Sequence, residues 1–160
     1  MLLLVAGCQL APVYSGGSAG VAARGLASVE VGEIADRSGW LVRDRLRQRM
    51  GGGAPVYRLE VRLDDRIDGF GVRGDNSIIR ERRTLRARFQ LVELANGKVV
   101  LDATAAADAG IDVVTSEFAV VAAEQTVLER LASDVAEQIV ARVALQMQGG
   151  QIQGGGAARP

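Results

Sequence analysis

Apolar and polar residues alternate from Pro55 to Asp65 (PVYRLEVRLDD), with Tyr57, Leu59, Val61 and Leu63 on one side and Arg58, Glu60 and Arg62 on the other. A period of two predicts a strand with one packed and one wet face. Thr84 to Leu94 repeats the pattern, setting Leu85, Ala87, Phe89 and Leu91 inward and Arg86, Arg88 and Gln90 outward. Asn96-Gly97 then reads as a two-residue hairpin turn, and Lys98 to Ala107 as the returning strand.

Leu26 to Ile34 alternates more weakly around the β-branched Val29 and Val31 and is the expected first strand. A helix follows it. Asp36 or Ser38 is the expected cap, Val42, Leu46 and Met50 share one face, and Gly51-Gly52-Gly53 ends the run. Strand, helix and strand in that order make a βαβ unit, so the first two strands should be parallel with a right-handed crossover. From Ser116 to about Met147 there is neither proline nor glycine, and Phe118, Val121, Leu128, Ala132, Val135 and Ile139 recur at 3-4 spacing. This predicts a single helix of roughly 45 Å, longer than the sheet needs, with one end projecting.

The order β-α-β-β-β-α predicts an α+β fold, a four-stranded mixed sheet with two helices packed on one face. Residues 9–25 (QLAPVYSGGSAGVAARG) read as a flexible tether and residues 149–160 as a disordered tail, leaving 26–148 as a single domain.

Composition narrows the chemistry. Aromatics make up only 4% of the chain, so the core must be aliphatic and an aromatic-walled pocket is not expected. Histidine is absent and Cys8 is the only thiol, which leaves most nucleophilic, acid-base and transition-metal chemistry without its usual residues. No enzyme activity, cofactor or metal is expected.

The formal charge of zero conceals an uneven distribution. Arg73 to Arg88 holds six arginines against Asp75 and Glu81, a balance of +4, whereas Asp108 to Glu137 holds seven acids against Arg130, a balance of −6. Lys98 is the only lysine. Guanidinium groups pair bidentately with phosphate or carboxylate and tolerate partial burial, so the bias toward arginine is chemically pointed.

Gly69-Phe70-Gly71-Val72-Arg73-Gly74 spells G-x-G-x-x-G, but a strand follows it rather than the helix a dinucleotide site requires, so these glycines read as the tip of a long hairpin. Arg73-Gly74-Asp75 is a chance match. Asp64, Asp65, Asp68 and Asp75 fit no cation-loop spacing and read as solvated turn residues. The arginine series IIRERRTLRARFQL has three readings: a solvated sheet face, a nucleic-acid contact or a site for anionic lipid headgroups. Zero net charge and few stacking aromatics count against nucleic acid, leaving the other two open. Arg80, Arg82, Arg83, Arg86 and Arg88 are the candidate contacts. Alternation sets Arg83 apart from the other four, on the side of Leu85 and Phe89.

The chain opens MLLLVAGCQL. Residues 1–8 are too short to span a bilayer or to form a complete signal peptide, so the recorded start is expected to fall inside a longer signal. Leu4-Val5-Ala6-Gly7-Cys8 resembles the lipobox of bacterial lipoproteins, which implies that Cys8 is acylated (palmitate among its chains) and anchors the protein. Gln9, in place of an aspartate, favours the outer membrane by the same resemblance. The competing reading is a first strand with a buried thiol.

Four stretches together resemble the LPS-assembly lipoprotein family (LptE-like): Cys8 to Gly16, Gly69 to Arg83, Asn96 to Val100, and Leu128 through Arg142. The resemblance implies a non-enzymatic outer-membrane lipoprotein on the periplasmic side. Its partners would be the LPS-export outer-membrane β-barrel protein, which it plugs and helps assemble, and lipopolysaccharide, which it assists through the barrel. The alternative is a stand-alone periplasmic lipoprotein that binds anionic ligands without a barrel.

Overall fold

A computed structural model of the chain describes residues 20–72, 78–113 and 116–154. Cys8, residues 9–19 of the expected tether, the central hairpin tip with Arg73 and Asp75, and residues 155–160 lie outside the described residues. Three helices and four strands follow in the order α1 (Val21–Ala27), β1 (Val29–Val31), α2 (Asp36–Arg49), β2 (Tyr57–Val72), β3 (Ile78–Glu93), β4 (Val99–Asp112) and α3 (Glu117–Gly154). The fold is the expected α+β arrangement with one helix more. Where the end of the tether and the start of the first strand were expected, Val21–Ala27 is helical and the strand contracts to three residues.

The sheet is mixed, in the order β1-β2-β3-β4. β1 runs parallel to β2 over Tyr57–Leu59, and the remaining pairs are antiparallel. The β2–β3 ladder is symmetric about position 75 and brings Arg62 opposite Arg88 and Asp64 opposite Arg86. Both strands run 16 residues, well past the expected 11, so the sheet reaches about 53 Å at 3.3 Å per residue. The 38-residue α3 spans about 57 Å, so helix and sheet are matched in length.

Helix α2 starts without the expected side-chain cap. Ala35 occupies the cap position, Asp36 adopts φ of 67°, which aspartate tolerates better than most residues, and Ser38 is buried. Gly51 and Gly52, with φ of 90° and 95°, take the left-handed turn that ends the helix, and the Gly51 N–H donates to the Leu26 carbonyl at 3.0 Å. The β3–β4 connection is longer than the two-residue turn expected at Asn96-Gly97. The Leu94 N–H remains bonded to the Val56 carbonyl, so the chain turns over residues 94–98, with Gly97 at φ of 71° donating to the Glu93 carbonyl.

All three helices lie on the inner side of the sheet. Phe89, Leu59, Leu85 and Leu91 from the strands meet Val42 and Leu46 of α2 and Leu131, Val135 and Ile139 of α3 in one buried aliphatic cluster. Each large side chain so buried contributes about 1.5–3 kcal/mol. Phe118 and Val121 belong to the same apolar stripe of α3 yet are 85% and 62% exposed. Helix α2 begins only at Asp36, which lines the same cavity as Leu128, so among the described residues no helix flanks the first turns of α3 on that side.

Candidate functional site

The side chains of β2, β3 and β4 that do not enter the core make a charged outer sheet face, over which no helix lies among the described residues. Arg80, Arg82, Arg86 and Arg88 project there, each exposed. Three of the four are paired across the ladder with β4. Arg80 reaches Asp112 at 3.2 Å, Arg82 reaches Asp108 at 3.7 Å, and Arg88 reaches Asp102 at 3.1 Å. The Arg82 guanidinium also stacks 5.4 Å from the centroid of the Phe70 ring. Asp108 and Asp112 open the acidic stretch and Asp102 lies just before it, so strand pairing neutralises three of these arginines, while the other five acids of the stretch lie on α3.

Arg88 and Gln90 both donate to the Asp102 carboxylate and hold its pKa below the ordinary aspartate value. The same hydrogen bond raises Arg88 above its usual value. Asp64, the register partner of Arg86, is engaged instead by Arg66 at 3.0 Å. Among the described residues, Arg86 has no partner. Arg62, which stands opposite Arg88, has none either. Arg62 and Arg86 are diagonal neighbours on the same face, so two guanidiniums without ion pairs share the middle of a face whose other described arginines are paired. Alongside them, the exposed acids Glu60 and Asp68 have no ion pair among the described residues either. Arg62 was not among the arginines singled out by sequence. Alternation placed it on the wet face, but only the hairpin register, readable in principle as symmetry about the glycine-rich tip, brings it beside Arg86.

Arg83 is separate from the other four. It projects to the inner side, only 13% exposed, and chelates Asp65 with two hydrogen bonds of 2.9 and 2.8 Å. A third, of 3.0 Å, runs from Arg83 Nη1 to the Glu124 carbonyl of α3. The Asp65 hydrogen bond raises the Arg83 pKa, so the guanidinium stays charged at every accessible pH. Asp64, Asp65 and Asp68 are β2 residues rather than the turn residues expected, and Asp65 is largely buried. No group of three or more acids, cysteines or histidines able to hold a metal occurs among the described residues.

An open cavity of about 750 Å³ lies beside the start of α2, between the β1–α2 connection and the outer edge of β2. Val61, Leu63 and Leu128 give it an apolar floor, and Asp36, Arg62 and Arg83 are among its charged lining.

One mixed sheet backed by helices, with its other face charged and bare, defines an α+β domain whose surface is organised around arginine. Residues 26–143 match the LptE lipopolysaccharide-assembly family, and the chain belongs to that family. A candidate lipoprotein from Caulobacter crescentus CB15 is 28% identical with a TM-score of 0.63, over 83% of this chain and 99% of that one. The fold is shared with a minor lipoprotein from Acinetobacter baumannii, 15% identical with a TM-score of 0.56 over 74% of this chain and 94% of that one. It is shared also with lipoprotein B from Nitrosomonas europaea, 11% identical with a TM-score of 0.59 over 78% and 86%. No curated protein matches. The chain is thus a lipopolysaccharide-assembly protein of a lipoprotein family that is not a known enzyme family. No helix among the described residues is long and apolar enough to cross a membrane.

Proposed function

We propose that this lipopolysaccharide-assembly protein is held at the outer membrane by acyl chains on Cys8 and plugs the LPS-export β-barrel, helping it assemble and assisting lipopolysaccharide to the outer leaflet. The observation that supports this most directly is the pair Arg62 and Arg86, two exposed guanidiniums without acid partners at the centre of the bare sheet face. A guanidinium fork matches phosphate oxygens or carboxylates bidentately, so this face suits lipid A phosphates or acidic groups of a polar barrel lumen. Arg80, Arg82 and Arg88 have acid partners already and serve as a supporting rim. Arg83, turned inward, holds β2, β3 and α3 together instead of meeting a ligand.

The test is affinity isolation of the protein, expressed with its native upstream region, from detergent-solubilised outer membrane, followed by mass spectrometry. Stoichiometric recovery of a large β-barrel protein is the expected result. Acylated protein with no barrel would overturn the plug and leave a stand-alone lipoprotein that binds anionic ligands.

A further inference from the structure

The two edges of the sheet are built differently. On β4, the Gln138 side chain of α3 donates to the Ala106 carbonyl at 3.0 Å, so the helix engages that edge at mid-strand. On β2, the neighbouring β1 pairs only with Tyr57 to Leu59, and among the described residues no strand lies beside positions 60–72. The Tyr57 N–H donates to the Ser28 carbonyl and the Leu59 carbonyl accepts from the Gly32 N–H, so odd-numbered residues turn their backbone groups to this side. The two-residue period therefore lines the open lane with the N–H and C=O groups of Val61, Leu63, Asp65 and Ile67.

The lane is more than an unpaired edge. It borders the 750 Å³ cavity floored by Val61, Leu63 and Leu128, and past that cavity Ile67, Val121 and Phe118 remain exposed. On the outer side, the charges of β2 alternate strictly in sign through Arg58, Glu60, Arg62, Asp64, Arg66 and Asp68. A strand laid antiparallel along this edge meets an ordered series of charges on one side and an apolar floor on the other.

We propose that the β2 edge over residues 60–66 takes up an extended segment of a partner protein as an added antiparallel strand. Apolar side chains of that segment would sit over the cavity floor and alternate with charges opposite in sign to Glu60, Arg62, Asp64 and Arg66. This goes beyond the reading of the arginine face and holds for any partner presenting such a segment. A second copy of the chain does not fit residues 60–66 in the register that matches their charges about Leu63. Two copies paired about Leu63 would drive residues 67–69 of each into β1 of the other, which already stands beside Tyr57–Leu59.

The test uses the full chain and a fluorescent synthetic peptide, Glu-Val-Arg-Leu-Asp-Val-Arg, which is the protein's own 60–66 sequence with valine in place of the inward aspartate. Laid antiparallel, the peptide is charge-complementary to the edge, each glutamate meeting an arginine and each outward arginine an acid. Saturable binding by fluorescence anisotropy is expected. Methylating the amide of the peptide's leucine, which points at the protein, should weaken binding about tenfold, whereas methylating the amide of the preceding arginine, which points away, should change it less than about twofold. Leu63→Pro in the protein, which removes an edge N–H and spares the β2–β3 ladder, should weaken it likewise. The methylated peptides decide the matter if that variant fails to fold. No saturable binding, or equal loss from the two methylations, would overturn strand addition. A concentration-dependent dimer of the chain that the peptide dissociates would assign the edge to a second copy and overturn the partner.

Discussion

Arg83 and Asp65 are diagonal neighbours on the inner side of β3 and β2, joined by two hydrogen bonds of 2.9 and 2.8 Å, with a third from Arg83 to the backbone of α3. The pair sits where the aliphatic core gives way to the long hairpin, and it fastens helix to sheet at that point. Asp65→Ala leaves the guanidinium desolvated beside only one carbonyl. It should lower unfolding stability by about 1–3 kcal/mol in urea titrations. The double variant Asp65→Leu with Arg83→Met should recover most of that loss, because a buried pair replaced by apolar groups of similar size is often neutral. A double variant as unstable as the single would show that the pair itself, and not the stranded charge, is what matters.

Arg62 and Arg86 should act together. Replacing both by Gln is expected to weaken binding to immobilised lipopolysaccharide about tenfold, while stability changes by no more than about 0.5 kcal/mol, since both side chains are exposed and Gln sets no new acid beside Asp64. Unchanged binding would remove the centre of this face from the proposed site. Charge reversal at Arg86 or Arg88 would be harder to read, because it places a second acid beside Asp64 or Asp102.

Asp102 carries a pH dependence whose sign follows from its depressed pKa. Its contribution is fully present above the ordinary aspartate value of 3.8 and is lost as pH falls through the lower folded value, where the carboxyl takes up its proton. Wild type should therefore exceed an Arg88→Met variant in stability at neutral pH, and the two should converge in acid. Denaturant titrations across that range check it. A gap independent of pH would mean that Arg88 acts through packing alone.

Gly39 sits where α2 passes closest to the preceding connection. A Cβ there would lie 2.7 Å from the Ile34 carbonyl oxygen, a backbone atom that cannot swing aside. Gly39→Ala should cost about 1–3 kcal/mol despite the higher helix propensity of alanine. A stabilised variant would show that the connection yields.

Cys8→Ala is expected to abolish acylation and release the protein from the membrane fraction, read by intact-mass spectrometry. Acyl chains persisting on the variant would refute the anchor.

Much of the architecture was legible in the chain. Period-two alternation located β2, β3 and β4, the apolar stripe located α3, and the strand-helix-strand order gave the parallel β1–β2 pair, because each of these depends on which side of an element is apolar. Alternation alone also separated Arg83 from Arg80, Arg82, Arg86 and Arg88. Strand length was less legible. Beyond Asp65 the inward positions become Ile67, Gly69 and Gly71, which carry no core signal, yet the ladder continues to Val72 by backbone pairing. The helix at Val21–Ala27 was missed for a related reason, since a short alanine- and glycine-rich stretch folds there only against α3, with Gly25 packed on Met147.

The sequence by itself determined the core-facing side of the three long strands, the α+β class and the concentration of arginine on one sheet face, because these follow from local periodicity and composition. Tertiary structure decided which of those arginines are neutralised. It set Asp102, Asp108 and Asp112 against Arg88, Arg82 and Arg80, left Arg62 and Arg86 without ion pairs among the described residues, and left one edge of β2 open beside a cavity. Pairing across a ladder depends on register, and register is settled by the hairpin as a whole rather than by any strand in it.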